Sequence, residues 1–545
     1  MMRTLTWSPL VLALAATSLT AAPRYDVVVY GATAGGVVTA VSAAREGLRV
    51  ALLEPGKHVG GMVSGGLSLT DIGRSEVIGG YSLEFYARVA DEYKTTTEGQ
   101  PFAWYAEPHV AEKIFHDMLR EAGVKVFYGR RLREKTGVTK QGGRIAAITT
   151  ENGETWRARI FADASYEGDL MAQAGVSYTW GREGTSEYGE SLAGVAEHTP
   201  FHQFLVRVSA FDENGRLLPE ISSEPRGAIG AADRKVQAYN FRMCLSDDPA
   251  NQVPYAQPPN YDPKRYELLA RLIEATAKAK GRPPHFGEVA SVDRTVKHKT
   301  DINNNGAFST DYIGKSWEYP EASYARRAEI WQEHIDYIKG FFYYLAHDPR
   351  VPEELRKEVN SWGLAKDEFV DTGHWPHQLY IREARRMTGE FVATQKDLQT
   401  ELTKPDVIGM GSYNSDSHNV QRVATPDGAV ENEGDVQVGV KPYQIPYRVM
   451  LPKRAQAENL LVPVCFSASH VAYSSLRMEP QYMIIGQAAG VAAKLAIQSN
   501  KPVQDIDTAA LTARLRAQGA VLEYDASSRT RTLPIVRKWI GKARR

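Results

Sequence analysis

The sequence predicts an α/β protein: a Rossmann-like dinucleotide-binding domain, built from a βαβ unit, a β-meander and a C-terminal helix, that carries an inserted α+β substrate domain. Three observations lead there. An apolar and aromatic strand, Tyr25–Tyr30, runs into the turn Gly31, Ala32, Thr33, Ala34, Gly35, Gly36 and then a small-residue helix over 37–44. An acid, Glu54, ends the next strand. Near the far end of the chain the same rhythm returns, with a strand over 459–464 and a helix starting at Pro480 that carries Gly486, Ala488, Ala489 and Gly490 on its body.

Each element has a chemical reason for its place. The glycine turn lets backbone N–H groups approach a pyrophosphate, the helix N-terminus stabilises its charge, and the acid accepts ribose hydroxyls. The pattern predicts FAD or NAD. Thr33 stands where G-x-G-x-x-G expects its second glycine, so the order of strand, turn, helix, strand and acid carries the prediction; the rival is a βαβ unit with no ligand. After Glu54 and Pro55 comes a second cluster, Gly60-Gly61-Met62-Val63-Ser64-Gly65-Gly66. Its missing side chains would let something flat lie against backbone, which in a flavoprotein is the isoalloxazine. A plain flexible loop is the alternative.

Further along, apolar spacing predicts a helix over 111–122, and the β-rich stretch 124–150, with its Gly-Gly-Arg and Asn-Gly-Glu turns, predicts a meander. Between about 179 and 370 the strand–glycine–helix rhythm gives way to Pro, Tyr, Trp, Asn and charged residues, with helical periodicity over 265–280 and 324–346. These shifts divide the chain into a leader over 1–22, the first part of the nucleotide-binding domain over 23–178, an inserted substrate domain over 179–400, the second part with its cofactor-facing loops over 401–500, and an extension over 501–545. The leader reads as an export signal: Arg3 gives a positive start, 7–19 is apolar, and Thr20-Ala21-Ala22 offers small residues for cleavage. The apolar run is too short to span a membrane, although an uncleaved N-terminal anchor is the alternative. Stable membrane insertion is not expected, and the protein is expected in the periplasm or outside the cell.

Among the 545 residues, 65 Lys and Arg balance 65 Asp and Glu. No net field therefore argues for nucleic acid or an anionic membrane, and a small molecule is the expected partner. The two cysteines, Cys244 and Cys465, are too few for a disulfide framework and form no CxxC pair, which argues against dithiol chemistry.

Nine stretches together resemble the glutathione-reductase-type FAD-dependent oxidoreductases: YDVVVYGATAGG, VGGMVSGGLSLTD, WYAEPHVAE, ADASYEGDL, KTDINNNG, LYIREARRMTGE, GMGSYNSDSHNVQR, YQIPYRVMLPK and NLLVPVCFSASHVAYSSLRMEPQYMIIGQAAGVAA. More narrowly they resemble an exported bacterial group known only as FAD-dependent oxidoreductases, some called xanthan lyase-like. The resemblance implies FAD as cofactor and a Rossmann-like FAD-binding domain. It implies that Gly31, Thr33, Gly35 and Gly36 hold the pyrophosphate, with Ala32 and Ala34 between them, that Glu54 and Pro55 meet the adenosine ribose, and that Leu132 meets adenine. Asp163 and Ser165 would close over the FAD, although DASYEGD lacks the glycine of the related element. Gly60, Gly61, Met62, Gly65 and Gly66 would flank the flavin, and Arg477, Met478, Glu479 and Gln481 would face its pyrimidine side, where a helix N-terminus stabilises the charge of the reduced ring.

Oxidation of an alcohol or amine by flavin sends hydride to N5 and a proton to a base. His470, just before the flavin-facing helix, ranks first as that base; the rival is an imidazole that merely orders its loop. The segment Tyr413-Asn414-Ser415-Asp416-Ser417-His418-Asn419 is too polar for a buried strand without partners, which makes Tyr413, Asp416 and His418 the next candidates. Asp416 and His418 lie two apart, but nothing completes a metal set and no metal is expected. Gly409-Met410-Gly411 is not a second fingerprint, because no small-residue helix follows. A helix is expected over 380–386, placing Arg382 and Arg386 on one face to hold a carboxylate, a phosphate or the pyrophosphate, or else to form a salt-bridged surface with Glu383 and Glu390. His374-Trp375-Pro376-His377 would suit a sugar ring or fill the core. There is no G-x-S-x-G elbow and no H-E-x-x-H. The expected function is an FAD-dependent oxidoreductase that moves a hydride between a small polar substrate, such as a sugar or polyol derivative, and flavin N5. A flavin-containing lyase acting on a uronate without net redox, and a non-catalytic flavin-bound binding protein, are the alternatives. The sequence does not name the electron acceptor; oxygen, a quinone and a cytochrome all meet the requirement.

Overall fold

The computed structural model describes residues 25–97, 99 and 101–526; the expected export signal over 1–22 lies outside the described residues. In chain order, the elements that build the site are β1 (Tyr25–Tyr30), α1 (Ala34–Arg45), β2 (Val50–Glu54), α2 (Pro108–Glu121), β3 (Lys125–Tyr128), β4 (Ala158–Asp163), α3 (Tyr324–His347), β5 (Leu460–Leu461), α4 (His470–Leu476) and α5 (Glu479–Ser499). The five strands form one parallel sheet in the order β5-β4-β1-β2-β3. Val28 of β1 is in register with Ala51 of β2 on one side and Phe161 of β4 on the other. Both faces of such a sheet are covered, so its strands read as continuous apolar runs, and Val27 to Tyr30 and Val50 to Leu53 are all buried.

On one face α1 and α5 pack against each other. A side chain on Gly490 would press on Ser42 and on the Ala43 backbone, and one on Gly486 would overlap the Gly35 carbonyl; Ser42 Oγ donates to the Gln487 carbonyl at 2.7 Å. The opposite face carries the expected meander, Val138–Gln141, Arg144–Thr149 and Thr155–Trp156, antiparallel throughout. The buried apolar side chains of α1, α2, α3 and α5 belong to one continuous core.

The helices predicted from periodicity occupy Pro108–Glu121, Glu267–Lys280 and Tyr324–His347. Pro480 falls in the first turn of α5, where a missing N–H costs nothing. Two expectations are corrected. The loop expected around His470 is instead helical: it contains α4, capped by the Ser469 side chain accepting from Ala472 N. The helix expected over 380–386 is absent: Tyr380 bridges to Asn240 and Arg386-Met387 pairs with Thr179 and Tyr178 as antiparallel strand. The ion-pair partners of Arg382, Arg385 and Arg386, namely Asp311, Asp169 and Glu183, lie in different parts of the chain, and reaching them overrides helical spacing. Among the described residues no helix is long and apolar enough to cross a membrane.

Candidate cofactor and active site

A cleft of about 570 Å³ opens at the carboxyl ends of the parallel strands, the place where open α/β sheets bind nucleotides. Gly31, Ala32, Thr33, Glu54, Pro55, Gly61 and Ser165 all line it. A Cβ on Gly31 would sit 2.7 to 2.9 Å from the backbone of Ser165 and Ala164, and one on Gly36 would overlap the Gly31 carbonyl; both positions need glycine because backbone meets backbone. Ala34, Gly35 and Gly36 form the first turn of α1 behind the cleft wall, with Gly35 packed on Tyr482 and Val464. Thr33 accounts for the missing second glycine. Its hydroxyl accepts from Gly36 N at 3.1 Å and donates to the Ala164 carbonyl at 2.8 Å, so it caps the helix that an incoming anion would face.

Glu54 accepts from Gly56 N at 2.6 Å and from Ala32 N at 2.8 Å. Burial pushes its carboxyl up to about 7 against the pull of those two bonds. Basic side chains also line the cleft: Lys57, His58, Arg131 and Arg327. Arg327, from α3, is fixed by Asp169 at 2.7 Å and the Tyr319 carbonyl at 2.9 Å. His58 stacks on His377 with centroids 3.9 Å apart and reaches Glu112 and Asp371, each at 3.1 Å.

Tyr166 forms the inner wall. Its hydroxyl accepts from Met62 N at 2.9 Å and donates to Glu479 Oε1 at 2.6 Å. The glycine cluster is closed on protein neighbours: a Cβ would meet Phe115 at Gly60, the Tyr166 hydroxyl at Gly61, Gln378 at Gly65 and the Arg242 carbonyl at Gly66. Gly60, Met62, Gly65 and Gly66 therefore stand one layer behind the cleft. Behind Tyr166, Arg477, Met478, Glu479 and Gln481 gather, buried, at the start of α5. Arg477 donates to the Tyr380 hydroxyl at 3.1 Å and to the Asp416 carbonyl at 2.9 Å. Arg477 Nε, Glu479 Oε2 and both ends of the Gln481 amide have no partner. Buried polar atoms are nearly always bonded, so this mixture of orphan donors and acceptors marks a ligand position. It fits the pyrimidine edge of a flavin, which offers carbonyl acceptors and an N–H donor.

The four catalytic candidates fall in one polar network, in which His418 and His470 are buried and Tyr413 and Asp416 half-buried. His418 Nδ1 lies 2.8 Å from Asp311 Oδ2, and its Nε2 is 3.9 Å from Asp416 Oδ2. Against the burial that would raise it, Arg382 and His418 hold Asp311 down to about 2. Burial and the Arg382 charge lower His418 to about 4, so its imidazole is neutral at pH 7; with Nδ1–H given to Asp311, Nε2 is left as a base. Tyr413 donates to Asp71 at 3.1 Å. His470 has Nδ1 2.8 Å from Glu383 Oε2 and an unpartnered Nε2, and burial and the Arg386 charge lower it to about 3. His470 opens α4 and Arg477 follows its end, about 10 Å apart at 1.5 Å per residue, whereas Asp416 touches Arg477. The two histidines are joined through Glu383 Oε2, which accepts from Gln237 Nε2 at 3.0 Å, and Gln237 Oε1, which accepts from His418 N at 3.1 Å.

Other expected contacts lie elsewhere. Leu132 is buried and its N–H goes to the Tyr30 hydroxyl at 3.1 Å; Gly129 and Arg131 line the cleft instead. Asp163 accepts from Met171 N at 2.7 Å and from Ser165 Oγ at 2.7 Å, holding the turn that presents Ser165. Arg386 pairs with Glu183 and Glu383 in the interior, not on a surface. Trp375 packs in the core against Phe241, while His377 lines the cleft. Among the described residues, Glu107, His109 and Glu368 bring three possible metal ligands together, but the Lys299 ammonium lies 2.6 Å from both Glu107 and Glu368 and supplies the positive charge there. Cys244 and Cys465 are both free and buried. The sequence reading missed Arg131, Tyr166, Arg327 and Asp311, and it singled out Arg382 for a helix face that does not form. Only Tyr166 carried a local signal, its place in the ADASYEGDL stretch.

The fold and cleft define a dinucleotide-binding α/β protein with an acid at the end of the second strand. The sequence profile of the family described as FAD dependent oxidoreductase matches residues 26–515, and the chain belongs to that family: it is an FAD-dependent oxidoreductase. Among solved structures it is similar to OxyS anhydrotetracycline hydroxylase from Streptomyces rimosus (15% identity, TM-score 0.24, covering 33% of this chain and 41% of that one). It is also similar to THI4 from Thermovibrio ammonificans (22% identity, TM-score 0.22, 29% and 66%) and to T. acidophilum thioredoxin reductase (23% identity, TM-score 0.17, 26% and 34%). In each case it covers less than two thirds of the other protein's length. No curated protein matches the chain.

Proposed function

We propose that this oxidoreductase oxidises a neutral polyhydroxyl compound, a sugar or polyol derivative, in the polar network between Arg477 and His418, and that it works after export, in the periplasm or outside the cell. The observation that carries the reading is the set of buried, unpartnered atoms around that network: Arg382 Nε as donor, Asn240 Oδ1, Asn419 Oδ1 and Asp435 Oδ1 as acceptors, and Ser415 Oγ as either. Hydroxyl groups donate and accept at once, so they satisfy both kinds. Charge also decides. Arg242, Arg382 and Arg477 are set against Asp71, Asp301, Asp311 and Asp416, which leaves no positive excess to hold a uronate and speaks against the lyase reading.

When bound, FAD supplies the two-electron acceptor. His418 Nε2 takes the hydroxyl proton as the C–H bond gives up its electron pair, and Asp311 keeps the imidazole in the tautomer that can do so. Arg477 and Tyr380 orient the substrate oxygens. His470 sits one helix length away and holds Glu383 and Gln237, which support the His418 backbone.

The test is anaerobic mixing of the FAD-loaded protein with neutral sugars, polyols, amines and uronates, following flavin absorbance. Neutral sugars or polyols should bleach it; bleaching by uronates or amines alone would sink the proposal. His418→Ala should slow flavin reduction about a hundredfold or more, the usual worth of a positioned base, and leave FAD bound. His470→Ala should cost less. The reverse order would return the role of base to His470.

A further inference from the structure

We infer that Glu479 faces the cofactor as a neutral carboxylic acid, held in place by Tyr166, and that its proton keeps uncompensated negative charge out of the flavin site. The proton count at Tyr166 makes the geometry one-way. Met62 N–H donates to the phenol oxygen, so the single phenol hydrogen goes to Glu479 Oε1 at 2.6 Å. Oε2 is buried and bonded to nothing. A carboxylate would leave that oxygen a bare acceptor in a buried site, whereas an acid has a hydrogen there to give to a ligand carbonyl.

The surroundings do not compensate a charge. Tyr166, from the 164–168 turn, bonds Glu479, and the phenols of Tyr86, from the helix Gly80–Tyr93, and Tyr482, one turn along α5, are near enough to feel its charge. Among the described residues no lysine, arginine or histidine forms an ion pair with Glu479; the neighbouring Arg477 is committed to Asp416 and Tyr380. The next residue is Pro480, so this helix start offers one N–H fewer to an anion. Burial pushes the Glu479 carboxyl up to about 8. Tyr166 lines the cleft, so Glu479 is one hydrogen bond from whatever fills it.

The sign follows from these placements. Below pH 8 Glu479 is neutral and can donate; above it, a negative charge stands beside a cofactor that becomes more negative on reduction. The experiment measures FAD dissociation constant and midpoint potential from pH 6 to 10 for the wild type, Glu479→Gln and Tyr166→Phe. At pH 7 the Gln variant should hold FAD like the wild type. Above pH 8 the wild type should lose roughly tenfold in affinity, the effect of about one unit of differential interaction, and its potential should fall more steeply than that of the Gln variant. Tyr166→Phe removes the donor that favours the carboxylate and should move the break to higher pH. Matching pH profiles for wild type and Gln variant, or FAD loss by the Gln variant at pH 7, would overturn the assignment. A measurement on the wild type alone guards against a misfolded variant: its infrared difference spectrum on adding FAD at pH 7 should show a perturbed protonated-carboxyl stretch that disappears above pH 8. No such band would equally refute it.

Discussion

Two backbone N–H groups, from Ala32 and Gly56, hold the Glu54 carboxylate at the mouth of the cleft, and burial still raises its pKa to about 7. If the ionised form accepts the ribose hydroxyls, FAD binding strengthens as pH rises through 7, because ligation favours the charged state that burial disfavours. Titration calorimetry between pH 5.5 and 8 should show that limb, and Glu54→Gln should abolish it. Glu54→Ala should weaken FAD retention tenfold or more, since each charge-assisted bond is worth roughly 1.5 to 3 kcal/mol; full flavin retention through dilution would refute the role. Glu54, Gly31 and Gly36 were legible in the sequence because their chemistry is set within a few residues. Asp311 was not, because nothing near it in the chain announces His418, 107 positions away. Arg327 was hidden in the same way, its partner Asp169 lying 158 positions upstream.

At the scale of elements, periodicity found the helices Pro108–Glu121, Glu267–Lys280 and Tyr324–His347 to within a few residues, since each buries one apolar face against the core, and it did not find Gly80–Tyr93. It failed where long-range ion pairs decide: 380–386 has helical spacing but its arginines answer to carboxylates in different parts of the chain. The start of α1 is the most constrained element in the site. Gly36→Ala would drive a methyl into the Gly31 carbonyl, and neither side of that contact is a flexible side chain. Overpacking of this kind costs about 1 to 3 kcal/mol, so the melting temperature should fall by several degrees and FAD should be lost. Gly287→Ala, where nothing lies within 4 Å, is the control and should melt like the wild type. Equal Tm values for both variants would mean that the turn relaxes.

Across the molecule, one parallel sheet is present among the described residues, and the remaining sheets are antiparallel pairs or triplets. The nucleotide-binding rhythm at both ends of the chain was readable because parallel strands and close-packed helices demand distinctive residues. The stretch between them was readable only as different, since its strands are two to five residues long and its polar pairs are distant in sequence. A single strand–glycine–helix unit has one dinucleotide to hold. NADH and NADPH should therefore not reduce the flavin quickly, and the substrate must reach the cofactor itself; stopped-flow bleaching by NADPH on the millisecond scale would contradict this.

The close packing of α1 on α5 brings together residues 445 positions apart, as Ser42 and Gln487 show. During translation the first helix leaves the ribosome with its small-residue face uncovered and waits for nearly the entire chain before its partner exists. Loop closure over such a distance is slow, and the nascent chain carries an unfinished nucleotide site throughout. Closure of the α1–α5 face is thus a late event in the making of each molecule.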